Sequence, residues 1–91
     1  MTIQIQHNPG ESRFEARVDG HLCVADYHLI GDVMVMPHTY VPSAVQGRGI
    51  AAELVAHALA HARAQRLKVD PRCSYVRSYM QRHPETLSLQ A

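Results

Sequence analysis

Residues 33–62 read VMVMPHTYVPSAVQGRGIAAELVAHALAHA, and the spacing of the apolar residues changes within this segment. Residues 33–41 follow a tight-turn dipeptide and are predicted to form a strand. From Ile50 to about Arg66 the apolar residues fall on one broad stripe, which predicts an amphipathic helix. The many alanines favour helix and allow close packing against a sheet. The segment therefore predicts a strand, a glycine-rich turn and a long helix.

Upstream of this segment, the chain predicts three further strands. Residues 3–6 and 13–18 alternate apolar and polar side chains, and residues 22–29 form the third. Three dipeptides mark the turns between the strands: Pro9-Gly10, Asp19-Gly20 and Gly31-Asp32. Because such short turns join antiparallel neighbours, the first half is predicted to be an antiparallel meander.

Pro37 interrupts the fourth strand and cannot donate a ladder hydrogen bond, which predicts an edge or a bulge at this position. Simple alternation along the strand then predicts that His38 shares a face with Met34, Met36 and Tyr40.

After the long helix, residues 67–70 predict a short strand that ends at Pro71. A second helix is predicted from about Ser74 to Arg82, closed by Pro84, and the last six or seven residues are predicted to be a loose tail. The fold class is therefore α+β, with a mostly antiparallel sheet of about five strands and two helices in the C-terminal half. We expect a single domain over residues 1–91.

Composition narrows the function classes. With 91 residues, 46% hydrophobic and 19% charged, the chain is typical of a small globular domain rather than a disordered one. No apolar run is long enough for a membrane span, and the N-terminus lacks a signal-peptide pattern, so we expect a cytoplasmic protein without a membrane partner. Cys23 and Cys73, in such a chain, are more often free thiols than a disulfide.

Charge is unevenly distributed. Residues 1–42 carry two arginines against five acidic side chains, and residues 43–91 carry seven basic against three acidic ones. A basic half suits an anionic ligand, and an acidic half suits a cationic one. The lack of interleaved aromatic residues and of a known binding motif argues against a nucleic-acid partner.

The glycine-rich segment between strand and helix reads Gln46-Gly47-Arg48-Gly49-Ile50-Ala51. Glycines let the backbone approach a ligand, and a helix N-terminus attracts negative charge, so a phosphate or diphosphate fits here. The segment is neither a P-loop nor a dinucleotide-binding fingerprint. The alternative is a tight turn with no ligand.

Cys73 and the histidines are the remaining candidates for chemistry. A thiol at a helix N-terminus can have a lowered pKa, although Cys73 could equally be a small buried apolar residue. His38 lies where the strand leads into the glycine-rich segment, and its alternative is a hydrogen-bonded histidine of the sheet. His57 and His61 have metal-ligand spacing, but no third ligand follows, so we expect no metal and both side chains exposed beside Glu53.

Four motifs occur in a fixed order: His38-Thr39-Tyr40-Val41-Pro42, the glycine-rich segment, Pro71-Arg72-Cys73 and His83-Pro84-Glu85. Together they resemble the small, minimal class of the GNAT acetyltransferase superfamily, over about residues 13–85. The resemblance implies an N-acetyltransferase that uses acetyl-CoA and an amine-bearing substrate, either a small molecule or a protein. Larger members wrap that substrate with segments this chain lacks, so the acceptor site is expected to be open and shallow.

The resemblance also implies the site. Gln46, Gly49 and Ala51 match the key positions of the diphosphate loop, and the other residues of the set lie between them or along the pantetheine: Thr39, Tyr40, Val41, Gly47, Arg48 and Ile50. Cys73 and Tyr75 would lie near the thioester. His38 and Cys73 match the reactive pair proposed for this class.

A mechanism follows from these expectations. His38 would accept the proton of the amine, and strand amides near Val41 would polarise the thioester carbonyl. Cys73 would either protonate the leaving thiolate or carry the acetyl group itself. A CoA-binding module without catalysis is the alternative function. The acceptor and the oligomeric state stay open at this stage.

Overall fold

A computed structural model describes residues 3–91 and contains one five-stranded sheet in the order β1-β2-β3-β4-β5. The strands are β1 (Gln6–Asn8), β2 (Arg13–Val18), β3 (His21–Ile30), β4 (Val33–Tyr40) and β5 (Lys68–Asp70). The first four strands form an antiparallel meander, and β5 pairs with β4 in parallel. The predicted α+β class with a mostly antiparallel sheet is therefore confirmed.

The helices are α1 (Ile50–Ala64) and α2 (Ser74–Arg82), and short 3-10 turns span Ser43–Val45 and Pro84–Leu89. Both predicted helices are present within two residues of their bounds. The first strand starts three residues later than predicted, because pairing with β2 begins only at Gln6 opposite Glu15. Neither helix in this part of the chain has the length and hydrophobicity that a transmembrane span requires.

The β2–β3 turn shows how local sequence fixes the register. Asp19 and Gly20 have φ values of 49° and 79°, the left-handed conformation that a two-residue hairpin loop requires at both positions. This turn sets Phe14 opposite Ala25 and Ala16 opposite Cys23. Both pairs are buried and form the centre of the core.

The helices cover one face of the sheet, here called the helix face. Its buried side chains include Phe14, Ala16, Cys23, Ala25, Met34 and Met36, which join Leu54, Val55, Leu59 and Val76 of the helices in one core. The opposite face carries Asp26 and Tyr40 and has no helix across it within residues 3–91; it is here called the open face.

A bulge in β4 corrects one prediction. Between the pairs Asp26–His38 and His28–Val35, two residues of β4 (Met36 and Pro37) lie opposite one of β3. The extra residue shifts the alternation, so Met36 is buried in the core whereas His38 lies on the open face. The expectation that His38 shares the face of Met34 and Met36 is wrong, whereas Tyr40 does share its face. Of the edge or bulge that Pro37 predicted, the bulge is present.

The C-terminal segment corrects a second prediction. In place of a loose tail, Pro84–Leu89 forms a 3-10 turn with Thr86 and Leu89 buried. The Thr86 hydroxyl donates to the His83 carbonyl at 2.7 Å, and Gln90 pairs with Val69 beside β5. The proline thus starts a final turn that closes the core instead of releasing the chain.

Candidate functional site

The glycine-rich segment leads directly into the N-terminus of α1. Gly47 and Gly49 have φ values of 82° and 77°, a conformation that other residues rarely adopt. No side chain caps the helix, and its first backbone bond is donated by Glu53 to the Gly49 carbonyl. The N–H groups of the first turn are therefore not used by the helix itself, which is the arrangement that binds phosphate oxygens.

A cavity of about 210 Å³ opens at this helix end. Its lining comes from the end of β4, the glycine-rich segment and α2: Val41, Val45, Gln46, Gly47, Gly49, Ile50, Ala51 and Tyr75. The Gln46 side chain donates to the Val41 carbonyl at 3.0 Å and ties the loop to the strand end. The structure thus brings together seven of the ten residues predicted to contact CoA.

The other three do not line the cavity. Arg48 forms an ion pair with Asp19 of the β2–β3 turn at 2.8 Å. Tyr40 is exposed on the open face, and Thr39 contacts Cys73 from the helix face. The assignment of all ten residues to CoA stays a prediction.

Two further cavities have similar volumes but lack the same chemistry. One, of about 160 Å³, lies along β1 and β2, and one of about 200 Å³ lies between α1 and the C-terminal turn. Neither is lined by the first turn of an α-helix. We therefore take the cavity at the start of α1 as the candidate site.

Cys73 lies at the N-cap of α2, beside this cavity. Its N–H donates to the Met36 carbonyl at 2.9 Å, where β4 has already lost β5 as a partner. Its Sγ lies 3.5 Å from the Thr39 hydroxyl. Burial raises the pKa of the Cys73 thiol, but hydrogen bonds from Thr39 and from the backbone N–H groups of Val76 and Tyr75 outweigh it and lower the pKa.

The other cysteine, Cys23, differs from Cys73 in its burial and in the direction of its pKa shift. It is fully buried on β3, and burial raises the pKa of its thiol. Both cysteines are free. Only Cys73 therefore has the surroundings of a reactive thiol.

His38 lies on the open face, with its ring against Asp26 and Tyr40. Its Nδ1 lies 2.7 Å from Asp26 Oδ2, and its ring is parallel to that of Tyr40 at a centroid distance of 6.3 Å. Because consecutive residues of a strand point to opposite faces, His38 and the Thr39–Cys73 contact lie on different sides of β4. Their joint action at one acetyl group stays a prediction.

The two histidines of α1, His57 and His61, differ in exposure. His57 is exposed as predicted, and its Nδ1 bonds the Glu53 carbonyl at 2.9 Å. His61 is half-buried, which contradicts the prediction, because its ring packs on His7 and Phe14 at 4.4 and 5.5 Å. Within residues 3–91, no three potential metal-ligating side chains converge.

The sequence did not predict two contacts of the candidate catalytic residues, that of Asp26 with His38 and that of Thr39 with Cys73. Asp26 faces His38 only because of the bulge, which the positions of polar residues in the chain do not reveal. Thr39 was assigned to the pantetheine, whereas here its hydroxyl contacts the Cys73 thiol. The proline at 37 was the one signal that could have suggested the shifted alternation.

The chain is similar in sequence to a known family and to proteins of known name. The model of the GCN5-related N-acetyl-transferase family matches residues 13–89. Protein NATD1 of Gallus gallus is 34% identical over 85 residues, which cover 90% of this chain and 77% of the relative. Protein NATD1 of Homo sapiens is 33% identical, with 90% and 75% covered.

A solved structure shares the fold. The NMR structure of a GCN5-like protein from Staphylococcus aureus superposes with a TM-score of 0.76 and covers 97% of this chain and 87% of that one. Its sequence identity of 21% supports the fold alone.

Proposed function

The chain belongs to the family of GCN5-related N-acetyltransferases, and from this premise we propose that it transfers the acetyl group of acetyl-CoA to an amine. The observation that carries the proposal is the cavity at the start of α1, whose lining runs from the first turn of that helix to Tyr75 of α2, two residues after Cys73. The helix end suits a diphosphate, and the pKa of the Cys73 thiol near the other end is lowered by hydrogen bonds.

The residues around the cavity have distinct roles in binding. The first-turn N–H groups of α1 and the segment from Gln46 to Ala51 would hold the diphosphate of acetyl-CoA. Thr39, Tyr40 and Val41 would lie along the pantetheine. Arg48 would reach the phosphates only after leaving Asp19, since the two are now an ion pair.

The transfer then needs a base for the amine. A lysine-like amine has a pKa of about 10.4 and must lose a proton before it can attack. We assign that proton to His38 Nε2. The amine nitrogen forms a bond to the acetyl carbon as the bond between that carbon and the sulfur of acetylated Cys73 breaks, and the Cys73 sulfur leaves as a thiolate.

Cys73 acts as the carrier in this proposal. The Thr39 hydroxyl lies 3.5 Å from Cys73 Sγ, and hydrogen bonds there lower the pKa of the thiol, which raises the fraction of the nucleophilic thiolate. The Cys73 thiolate would attack the thioester carbon and release CoA as its thiolate, and the amine would then take the acetyl group from Cys73. Acetyl transfer in two steps predicts ping-pong kinetics.

Calorimetry with acetyl-CoA tests the binding half. Gly49→Ala should weaken binding at least about tenfold, or about 1.4 kcal/mol, because a side chain at the helix end blocks close approach of a phosphate. Gly31→Ala is the matched control, since Gly31 also has a positive φ (59°) and open space around it but lies at the β3–β4 turn. Wild-type protein without affinity for acetyl-CoA would refute the proposal.

Mass spectrometry and an amine-acetylation assay test the chemistry. Incubation with acetyl-CoA should add one acetyl group to the wild type and none to Cys73→Ala, and the adduct should disappear when an acceptor amine is added. Binding without an adduct and without product would leave a CoA-binding module, the alternative function.

The acceptor and the compartment belong to the same proposal. An open sheet face admits either a small amine or a lysine on a protein surface. Two free thiols agree with a reducing compartment, and we propose the cytoplasm.

A further inference from the structure

The closest contact of His38 is with a residue from the neighbouring strand. Asp26 of β3 is the register partner of His38 in β4, and both side chains lie on the open face. The Nδ1–Oδ2 distance is 2.7 Å, with His38 56% and Asp26 36% exposed. The contact is therefore short although both groups reach solvent.

Asp26 has one basic register partner besides His38. Arg13 lies opposite Asp26 on β2, but its Nε donates to Glu15 Oε1 at 3.0 Å. A carboxylate accepts hydrogen bonds and cannot donate them, so Nδ1 of His38 must carry the hydrogen in this contact. In the neutral ring, Nε2 then holds the free lone pair.

The rest of the local structure fixes the ring in that position. The bulge at Met36 and Pro37 turns His38 to the open face, where Asp26 is its direct neighbour. The parallel Tyr40 ring lies on the same face, two residues along the strand. Tautomer and orientation are thus both set by the sheet.

We infer that Asp26 is a positioning residue for His38, whose carboxylate holds the Nδ1–H tautomer so that Nε2 accepts the proton of the amine. The role in catalysis rests on the proposed function, because it requires His38 to act as the base. The assignment of the Nδ1–H tautomer does not depend on the proposed function. To use His38 as its base, the amine must reach Nε2 on the open face, whereas the Cys73 thiol contacts Thr39 on the helix face.

Nitrogen-15 NMR of the His38 ring tests the inference without turnover. At a pH where the ring is neutral, the wild type should show a protonated Nδ1 and an unprotonated Nε2, with His38→Gln used for assignment. Asp26→Asn and Asp26→Ala should increase the Nε2–H form, whereas Asp32→Asn, at the β3–β4 turn, should leave the spectrum unchanged. A dominant Nε2–H form in the wild type, or no change in either Asp26 variant, would overturn the inference.

Kinetics provide the second readout. Asp26→Asn should lower kcat for acetyl transfer at least about tenfold, with the KM for acetyl-CoA and the calorimetric affinity unchanged, since Asp26 does not line the cavity at the start of α1. A fall in acetyl-CoA affinity equal to the fall in kcat would instead show a structural role. A wild type with the expected tautomer but no acetyl transfer would refute the proposed function and leave the Asp26–His38 geometry intact.

Discussion

At the scale of single residues, Thr39 shows how one hydroxyl changes the chemistry of another group. It lies 3.5 Å from Cys73 Sγ and is one of the groups that lower the pKa of that thiol. The residue type and the strand were predictable from the sequence. The contact was not, because it joins residues 34 positions apart and depends on the shifted alternation after Pro37.

Alkylation rates test this contact. In a Cys23→Ala background, the rate of Cys73 alkylation against pH should have its midpoint below that of an unperturbed cysteine thiol, because the pKa of Cys73 is lowered. Thr39→Val removes a hydrogen bond to the thiolate while keeping the shape, so it should move the midpoint to higher pH and slow alkylation near pH 7. Thr39→Ser, which keeps the hydroxyl, is the control. Equal midpoints in the wild type and Thr39→Val would contradict the role of the hydroxyl.

The two thiols should also differ in rate. Cys73 should react much faster than Cys23 with a thiol reagent in the native protein, because Cys23 is fully buried and burial raises its pKa. Peptide mapping after partial labelling measures the ratio. Equal labelling of both sites under native conditions would contradict this assignment.

At the scale of elements, β1 is held to α1 by a histidine pair. The His7 ring stacks on Phe14 at 4.3 Å and meets His61 edge-on at 4.4 Å, and its Nε2 bonds the Tyr27 hydroxyl at 2.6 Å. Burial and the nearby His61 lower the pKa of His7. Protonation therefore opposes the packing of β1.

This predicts a pH dependence of stability. Because the pKa of His7 is lowered in the folded state, its contribution is complete above about pH 6.5, the unfolded value, and is lost as the pH falls through the folded pKa. Thermal unfolding between pH 7.5 and 5 should thus lose stability toward acid, and His7→Gln should flatten the slope. His57→Gln, at an exposed position, is the control. The same slope in His7→Gln as in the wild type would exclude this cause.

The elements themselves were the most predictable level. The turn dipeptides and the change of period specified β2, β3, β4 and α1, because local backbone preferences and periodicity determine them, whereas β1 was predicted at residues 3–6 and lies at Gln6–Asn8. The half-buried state of His61 escaped the same reasoning, since helical spacing places it beside His57 and only contact with His7 of β1 covers it.

At the scale of the whole molecule, the last residues close the core. Leu89 is 7% exposed, whereas Leu87, two residues earlier in the same turn, is 42% exposed. The sequence predicted a loose tail because the segment is short and follows a proline. The sequence does not reveal that Gln90 pairs with Val69 of β5, which brings the C-terminal segment against the sheet.

A pair of leucine variants tests this closure. Leu89→Ala should lower the free energy of unfolding by about 2 kcal/mol, through lost burial and an unfilled space. Leu87→Ala should change it by less than about 0.5 kcal/mol, because its side chain is already largely in solvent. Chemical denaturation of both variants measures the difference. Equal losses would show that the C-terminal turn does not contribute to the core.

The parallel pairing of β4 and β5 has a consequence for the order of assembly. The hairpins of the meander join strands through short turns, but Val33 pairs with Lys68 only after a loop of about 35 residues has closed. The closure entropy of such a loop grows with its length, so contacts across it form late in folding and break early in fluctuations. We expect the amides of β5 to exchange with deuterium faster than those of β3. Cys73 directly follows this pairing, so the reactive end of the molecule would be the last part to assemble and the first to open.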